Sequence, residues 1–147
     1  MSNQFQPDSK VLNVSIWAVQ GFLGISFFMI GMTNIFTSNE DLIELGFTYI
    51  AHVPTFVPKF AGISEVLGGI GLILPAATRI QPQLTVWAAT GLMLVVVIAI
   101  IMYSWLGQWA NIPSPIVTGG LLAFVIWGRN SKFPIPSRRT TLDHRIE

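Results

Sequence analysis

Glu65 is the only charged residue between Lys59 and Arg79, and it stands in the apolar run Phe60-Ala-Gly-Ile-Ser-Glu-Val-Leu-Gly-Gly-Ile-Gly-Leu-Ile-Leu-Pro75. A carboxyl accepts hydrogen bonds when ionised and donates one when protonated, so what it does depends on the polar groups that reach it. On a helix, the residues three, four and seven positions away are Ala61, Gly62, Gly68, Gly69 and Leu72. The acid therefore lies on a stripe nearly free of side chains, where another helix or a ligand can come close. Thr33, Asn34, Ser64, Tyr103 and Ser104 are the polar residues best placed to join it, with Ser114 and Thr118 further along the chain. Gly31, Gly62, Gly68 and Gly69 are expected as packing positions, and Gly21 and Gly24 serve the same expectation on the first helix.

Other chemistries lack their residues. The chain has no cysteine, which removes structural disulfides, Cys-based zinc or iron–sulfur sites and dithiol redox chemistry carried by this chain alone. Only two histidines are present, His52 and His144, and no metal site is expected from either. Nucleotide-binding, zinc-protease and hydrolase motifs are absent, so no catalytic residue can be named.

The elements that must position Glu65 follow from composition. The 147 residues are 52% hydrophobic and 10% charged, with a mean hydropathy of +0.62, too apolar for an ordinary soluble domain. Residues 12–36 and 81–126 contain no Lys, Arg, Asp or Glu, and both stretches are long enough to cross a bilayer core. The expected fold is all-α: a membrane-spanning four-helix bundle with spans at about 11–36, 59–77, 83–106 and 113–127. A polar arm over residues 1–10 precedes it and a basic, solvated tail over 129–147 follows it. The first span is expected to be a retained anchor rather than a cleaved signal, because it is long and lacks a small-residue cleavage pattern.

Between the first two spans, Thr37-Ser-Asn-Glu40 fits a capping box, and Leu42, Leu45, Tyr49, Val53 and Phe56 recur at helical spacing. This predicts a short interfacial amphipathic segment, interrupted by Gly46 and ended by Pro54 and Pro58. Four spans put both termini on one side. Lys10, Arg79, Arg129, Lys132, Arg138, Arg139 and Arg145 lie on that side and only Lys59 on the other, so the positive-inside rule places the termini in the cytoplasm. His52 and His144 then fall on opposite faces of the membrane. Nucleic acid is not an expected partner, because the basic residues border a membrane.

With that orientation the polar residues named above collect in the outer half of the bundle, and the inner half offers little beyond Ser15 and Thr90. Glu65 is six residues past Lys59, about 9 Å down its helix. An unpaired acid at that depth costs on the order of 2 to 3 kcal/mol, so it should turn inward and bond to Asn34 or Tyr103, or keep its proton.

The motif Gly62-Ile-Ser-Glu65-Val-Leu-Gly68-Gly69-Ile-Gly71-Leu-Ile-Leu-Pro75 resembles the second-helix motif of the DoxX-like family of small four-helix membrane proteins. The four-span layout and the ending Leu-Leu-Ala-Phe-Val-Ile-Trp127-Gly128-Arg129 are also similar, so the resemblance covers most of the chain. Two positions depart from the family pattern. Gly31-Met-Thr-Asn34 carries an amide where relatives have a lysine, and Tyr103 or a neighbour stands where many have a histidine. The resemblance implies a multi-pass bacterial inner-membrane protein, some of whose relatives are associated with thiosulfate:quinone oxidoreduction or oxidative-stress complexes.

The leading expectation is an outward-facing polar pocket around Glu65 that binds a quinone or lipid-like molecule, in an accessory subunit of a membrane redox complex. Asn34 and Tyr103 are its expected partners. The chain supplies no cofactor of its own, so electron transfer would need a bound quinone or a redox partner subunit; a homo-oligomer is a further option. The alternatives are a structural or assembly protein in which Glu65 only fixes helix packing, and a small transporter. One acid without a polar path through the membrane disfavours the last.

Overall fold

A computed structural model describes residues 7–81, 83–132 and 134–135. Four segments are long and apolar enough to cross a membrane, Ser9–Phe36, Phe56–Thr78, Gln83–Trp105 and Trp109–Lys132. They are built on α1 (Pro7–Phe36), α3 (Phe56–Thr78), α4 (Gln83–Trp105) and α5 (Pro113–Trp127) with its flanking turns, and a short α2 (Asn39–Glu44) lies between the first two. In lipid every backbone polar group must be satisfied within the segment, and a helix does this for runs with few charges. Large apolar side chains such as Phe22, Phe60, Leu67, Trp87 and Leu94 point outward, as a lipid-facing surface requires.

The helices run up, down, up, down. α1 packs on α3, α3 on α4, α4 on α5, and α5 returns to α1. Leu23, Phe27, Leu72, Ala89, Leu92, Val96, Leu122 and Val125 form the shared core. α1 starts at Pro7 and the first candidate span at Ser9, so residues 9–10 belong to the span rather than to an arm before it; Pro7 suits a helix start, where no N–H partner is needed. α3 starts at Phe56 and takes Pro58 into its first turn for the same reason.

The tightest contact is between α1 and α3. A Cβ on Gly31 would stand 2.6 Å from the Gly62 carbonyl oxygen, and one on Gly69 would stand 2.6 Å from the Gly24 carbonyl oxygen. Only glycines let the two backbones meet there. The pairs Gly24/Gly69 and Gly31/Gly62 are each two helical turns apart on both strands of the antiparallel contact, so they set its register. Gly68 instead faces α4, against the Leu92 side chain, whereas Gly21 has open space around it and is not a packing position.

The connecting segment folds as the sequence predicts in kind but not in every residue. Ser38, not Thr37, caps α2, its hydroxyl accepting from the Asp41 N–H at 3.2 Å. Gly46 adopts φ +103 and breaks the helix, and a single 3-10 turn, Thr48–His52, follows. Trp105 and Trp109 project from the α4–α5 connection, where interfacial aromatics belong.

At the opposite end, α5 continues through a π turn, Gly128–Lys132. Arg129 is therefore not part of a solvated tail: it is 5% exposed and inserted in the bundle. The cause is local, because Gly128 lets the turn press against Ile16, whose Cδ1 would lie 2.4 Å from any Cβ there. The tail residues Arg138, Arg139, His144 and Arg145 lie outside the described residues.

Gly62→Ala should therefore destabilise the protein by about 1 to 3 kcal/mol through overpacking, with Gly21→Ala as a neutral control. Thermal unfolding in mild detergent is the measurement, and equal midpoints for the two variants would contradict the assigned contact.

Candidate functional site

The register set by the glycines carries Asn34 across Gly62 to Glu65. A Cβ on Gly62 would stand 2.8 Å from Asn34 Cβ, so the bare Gly62 leaves the lane along which the Asn34 side chain reaches the next turn of α3. There Asn34 Nδ2 donates to Glu65 Oε2 at 2.8 Å, both residues being buried. Lys59 binds the other side of the same residue: its Nζ donates to the Asn34 carbonyl at 3.0 Å and to the Thr37 carbonyl. A cation at the C-terminal carbonyls of α1 is favourably placed against the helix dipole. Among the described residues no cation forms an ion pair with Glu65.

The second oxygen of Glu65 is different. Oε1 makes no hydrogen bond within the described residues, and Glu65 lines a cavity of about 590 Å³ between α1, α4 and α5. Most of the wall is apolar, with Phe22, Leu23, Phe27, Val96 and Leu121 toward the middle of the bundle. Tyr49, Tyr103, Ser114 and Thr118 lie toward the end nearer the connecting segment. Phe22, Ile30 and Val117 line the cavity while remaining exposed on the outer surface, so it opens sideways between α1 and α5.

Tyr49 and Tyr103 cover this end as an edge-to-face pair, ring centroids 5.7 Å apart at 87°. Burial, then the nearby Glu65 carboxyl and Tyr103, push the Tyr49 phenol up to about 12. It stays neutral at physiological pH and keeps its proton to donate. The turn that bears Tyr49 is tethered by Thr48 Oγ1 donating to Gln108 Oε1, which ties the connecting segment to the α4–α5 connection.

The predicted site residues thus divide. Glu65 and Asn34 are bonded, and Tyr103 lines the cavity with Glu65, though no hydrogen bond joins the two. Thr33, Ser64 and Ser104 do not reach it: each hydroxyl donates to the carbonyl four residues earlier in its own helix, namely Met29, Phe60 and Ile100. An isolated Ser or Thr in a lipid-embedded helix commonly does this. Tyr49 is the residue that sequence reasoning used only as an apolar repeat; its phenol was the available signal. His52 is exposed and outside the cavity, and no group of three His, Cys, Asp or Glu residues able to hold a metal occurs among the described residues.

A second polar cluster lies at the other end, in the half expected to be bare. Gln20 is fully buried; its Nε2 donates to the Leu72 carbonyl, and its Oε1 accepts from Arg129 Nε at 2.9 Å. Arg129 Nη1 donates to Asn13 Oδ1 at 3.3 Å, and the guanidinium lies 4.5 Å from the Trp17 ring. Gln20 within an apolar helix was the legible signal for this cluster.

No curated protein and no solved structure matches the chain. A family model described as the DoxX-like family matches residues 18–125, a range that takes in Asn34, Glu65, Tyr103 and the glycine contacts between α1 and α3. With four membrane-spanning helices and a match over most of its length, the chain belongs to the DoxX-like family.

Proposed function

We propose that the protein binds an amphipathic quinone or lipid-like molecule in the cavity, as an accessory subunit of a membrane redox complex. The observation that carries this reading is the Glu65 carboxyl: Asn34 holds Oε2, Oε1 has no hydrogen-bond partner among the described residues, and the residue lines a mostly apolar cavity. A carbonyl or hydroxyl headgroup would bond there, to Glu65 in either protonation state, with Tyr49 and Tyr103 as further phenolic partners. The tail would leave through the side opening between α1 and α5 into the bilayer. A volume of about 590 Å³ suits a ligand headgroup with its first tail segment, within the roughly 300 to 1,000 Å³ of known ligand pockets. Any redox step belongs to the bound quinone and its partner subunit, and the chain's part is to bind, orient and shield the headgroup.

The Asn34–Glu65 bond also favours a second reading, in which the acid only fixes helix packing in an assembly protein. Buried interhelical hydrogen bonds in membranes average about 0.6 kcal/mol, enough to bias register but not to hold a fold alone. The two readings separate on Glu65→Gln, which keeps an acceptor for Asn34. Under the binding reading, affinity for a short-tail ubiquinone, followed by native mass spectrometry in mild detergent, falls about tenfold, equivalent to about 1.4 kcal/mol, while the unfolding midpoint is little changed. Unchanged affinity for both Glu65→Gln and Glu65→Ala would leave packing as the role. A stoichiometric isoprenoid copurifying with the wild-type protein is the companion expectation; only bulk phospholipid would count against it.

We propose a bacterial inner-membrane location, as the family resemblance implies, and, on the strength of the charge distribution, cytoplasmic termini and a cytoplasmic Arg129 end. The absence of native cysteine makes this directly measurable. In intact cells a membrane-impermeant maleimide should label Ala110→Cys, and label Ser131→Cys only after permeabilisation. The reverse pattern would invert the topology.

A further inference from the structure

We propose that the Arg129 end of the bundle is a second binding site, for a phosphate group, with Arg129 as its buried anchor. It is separate from the Glu65 cavity and does not rest on the function proposed above. Arg129 is buried, yet every partner it has is neutral: the Gln20 and Asn13 carbonyl oxygens and the Trp17 ring. Among the described residues no carboxylate pairs with it, and its Nη2 has no hydrogen-bond partner at all. A buried guanidinium left with an unpaired N–H edge is costly unless an anion completes it.

The cluster is built rather than incidental. Gln20 is itself held by the Leu72 carbonyl, so its Oε1 is fixed in direction before it meets Arg129 Nε. Asn13 takes Nη1 and Trp17 lies over the guanidinium, so the group is held in one orientation with the Nη2 edge left over. The π turn is what brings Arg129 inward, and inserted π turns recur at functional sites. A planar guanidinium edge matches the oxygens of a phosphate better than an ammonium does.

The location identifies where such a phosphate comes from. Arg129 lies three residues inside the end of the fourth candidate span, Trp109–Lys132, and its guanidinium is held by Asn13, Trp17 and Gln20 in the second to fourth turns of α1. At the end of the bundle that the charge distribution assigns to the cytoplasm, an arginine so placed can meet a lipid headgroup. Exposed Lys132, three residues on in the same π turn, has its ammonium over the Trp127 ring, 5.9 Å from the centroid, so Arg129 alone is the anchor. Basic pockets between helices at this depth take anionic lipid headgroups. A free phosphate ion offers the same oxygens, so the chemistry is common to both and the source must be measured. Because Nη2 has essentially no accessible surface, binding involves a small displacement of the side chains that cover it.

The test uses the full chain in mild detergent, with retained lipid counted by native mass spectrometry and stability followed by thermal unfolding. Phosphatidylglycerol should be retained about tenfold over phosphatidylcholine, equivalent to about 1.4 kcal/mol, and should raise the unfolding midpoint. Inorganic phosphate is compared with chloride at equal ionic strength. Stabilisation by phosphate alone, with no lipid preference, would identify a free phosphate as the occupant. Arg129→Gln, which keeps an amide beside Gln20 and Asn13, should abolish the preference. If that variant fails to fold, replacing Arg138, Arg139 and Arg145 together with Gln decides the matter: the preference must survive, and its loss would locate the binding in those residues and overturn the proposal. Equal retention of the two lipids by the wild-type protein, without any phosphate effect, would also overturn it.

Discussion

Backbone contact between α1 and α3 is the constraint on which the site depends. Two antiparallel helices in lipid gain nothing by hiding apolar surface from each other, since lipid is as apolar as they are; close packing has to hold them together. Gly24, Gly31, Gly62 and Gly69 provide that closeness, and because each pair blocks even a methyl group, the register cannot slide. The same register puts Lys59 at the end of α1, Asn34 over Gly62 and Gln20 against the Leu72 carbonyl. The Asn34–Glu65 bond and the seat of Gln20 both follow from one glycine-lined seam.

The two ends of the bundle are then treated differently. Where α5 ends, Gly128 meets Ile16 and Arg129 bonds across to α1, so α1 and α5 are drawn together. Toward the connecting segment the same two helices diverge around the cavity, with Phe22 and Ile30 on one side and Val117 and Leu121 on the other. A bundle pinned at one end and parted at the other has a lateral mouth by construction. The tyrosine pair and the Thr48–Gln108 tether close its top, which leaves the bilayer side as the way in.

Charge-free runs and helical spacing made the four spans legible in the sequence, because a membrane permits so few backbone solutions. The Glu65 stripe and its Asn34 partner were legible for the same reason: few polar side chains exist and each must be placed. What the sequence could not supply was side-chain direction. Thr33, Ser64 and Ser104 lie in the same half of the bundle as Glu65 but satisfy their hydroxyls on their own helices, a choice that spacing along the chain does not reveal. Arg129 looked like the first residue of a basic tail, and only the π turn and Gly128 show that it belongs to the interior. Gln20, an amide in an apolar helix, is absent from the inner-half polar residues expected from the sequence, Ser15 and Thr90, although a buried amide needs partners.

The amide at position 34 has a consequence for how the carboxyl is held. A lysine there would give Glu65 a fixed cation and one favoured state. Here the nearby cation, Lys59, comes from the start of α3 and is engaged by the carbonyls of Asn34 and Thr37, so its charge serves the end of α1 rather than the acid. Asn34 touches Glu65 through a neutral group that presents a donor on one side and an acceptor on the other, and the acceptor, Oδ1, has no partner. Turned about its last torsion, the same amide would present Oδ1 and accept from a protonated Glu65, where it now donates to the carboxyl. The bond therefore positions Glu65 without dictating its proton, and leaves the other carboxyl oxygen without a hydrogen-bond partner among the described residues.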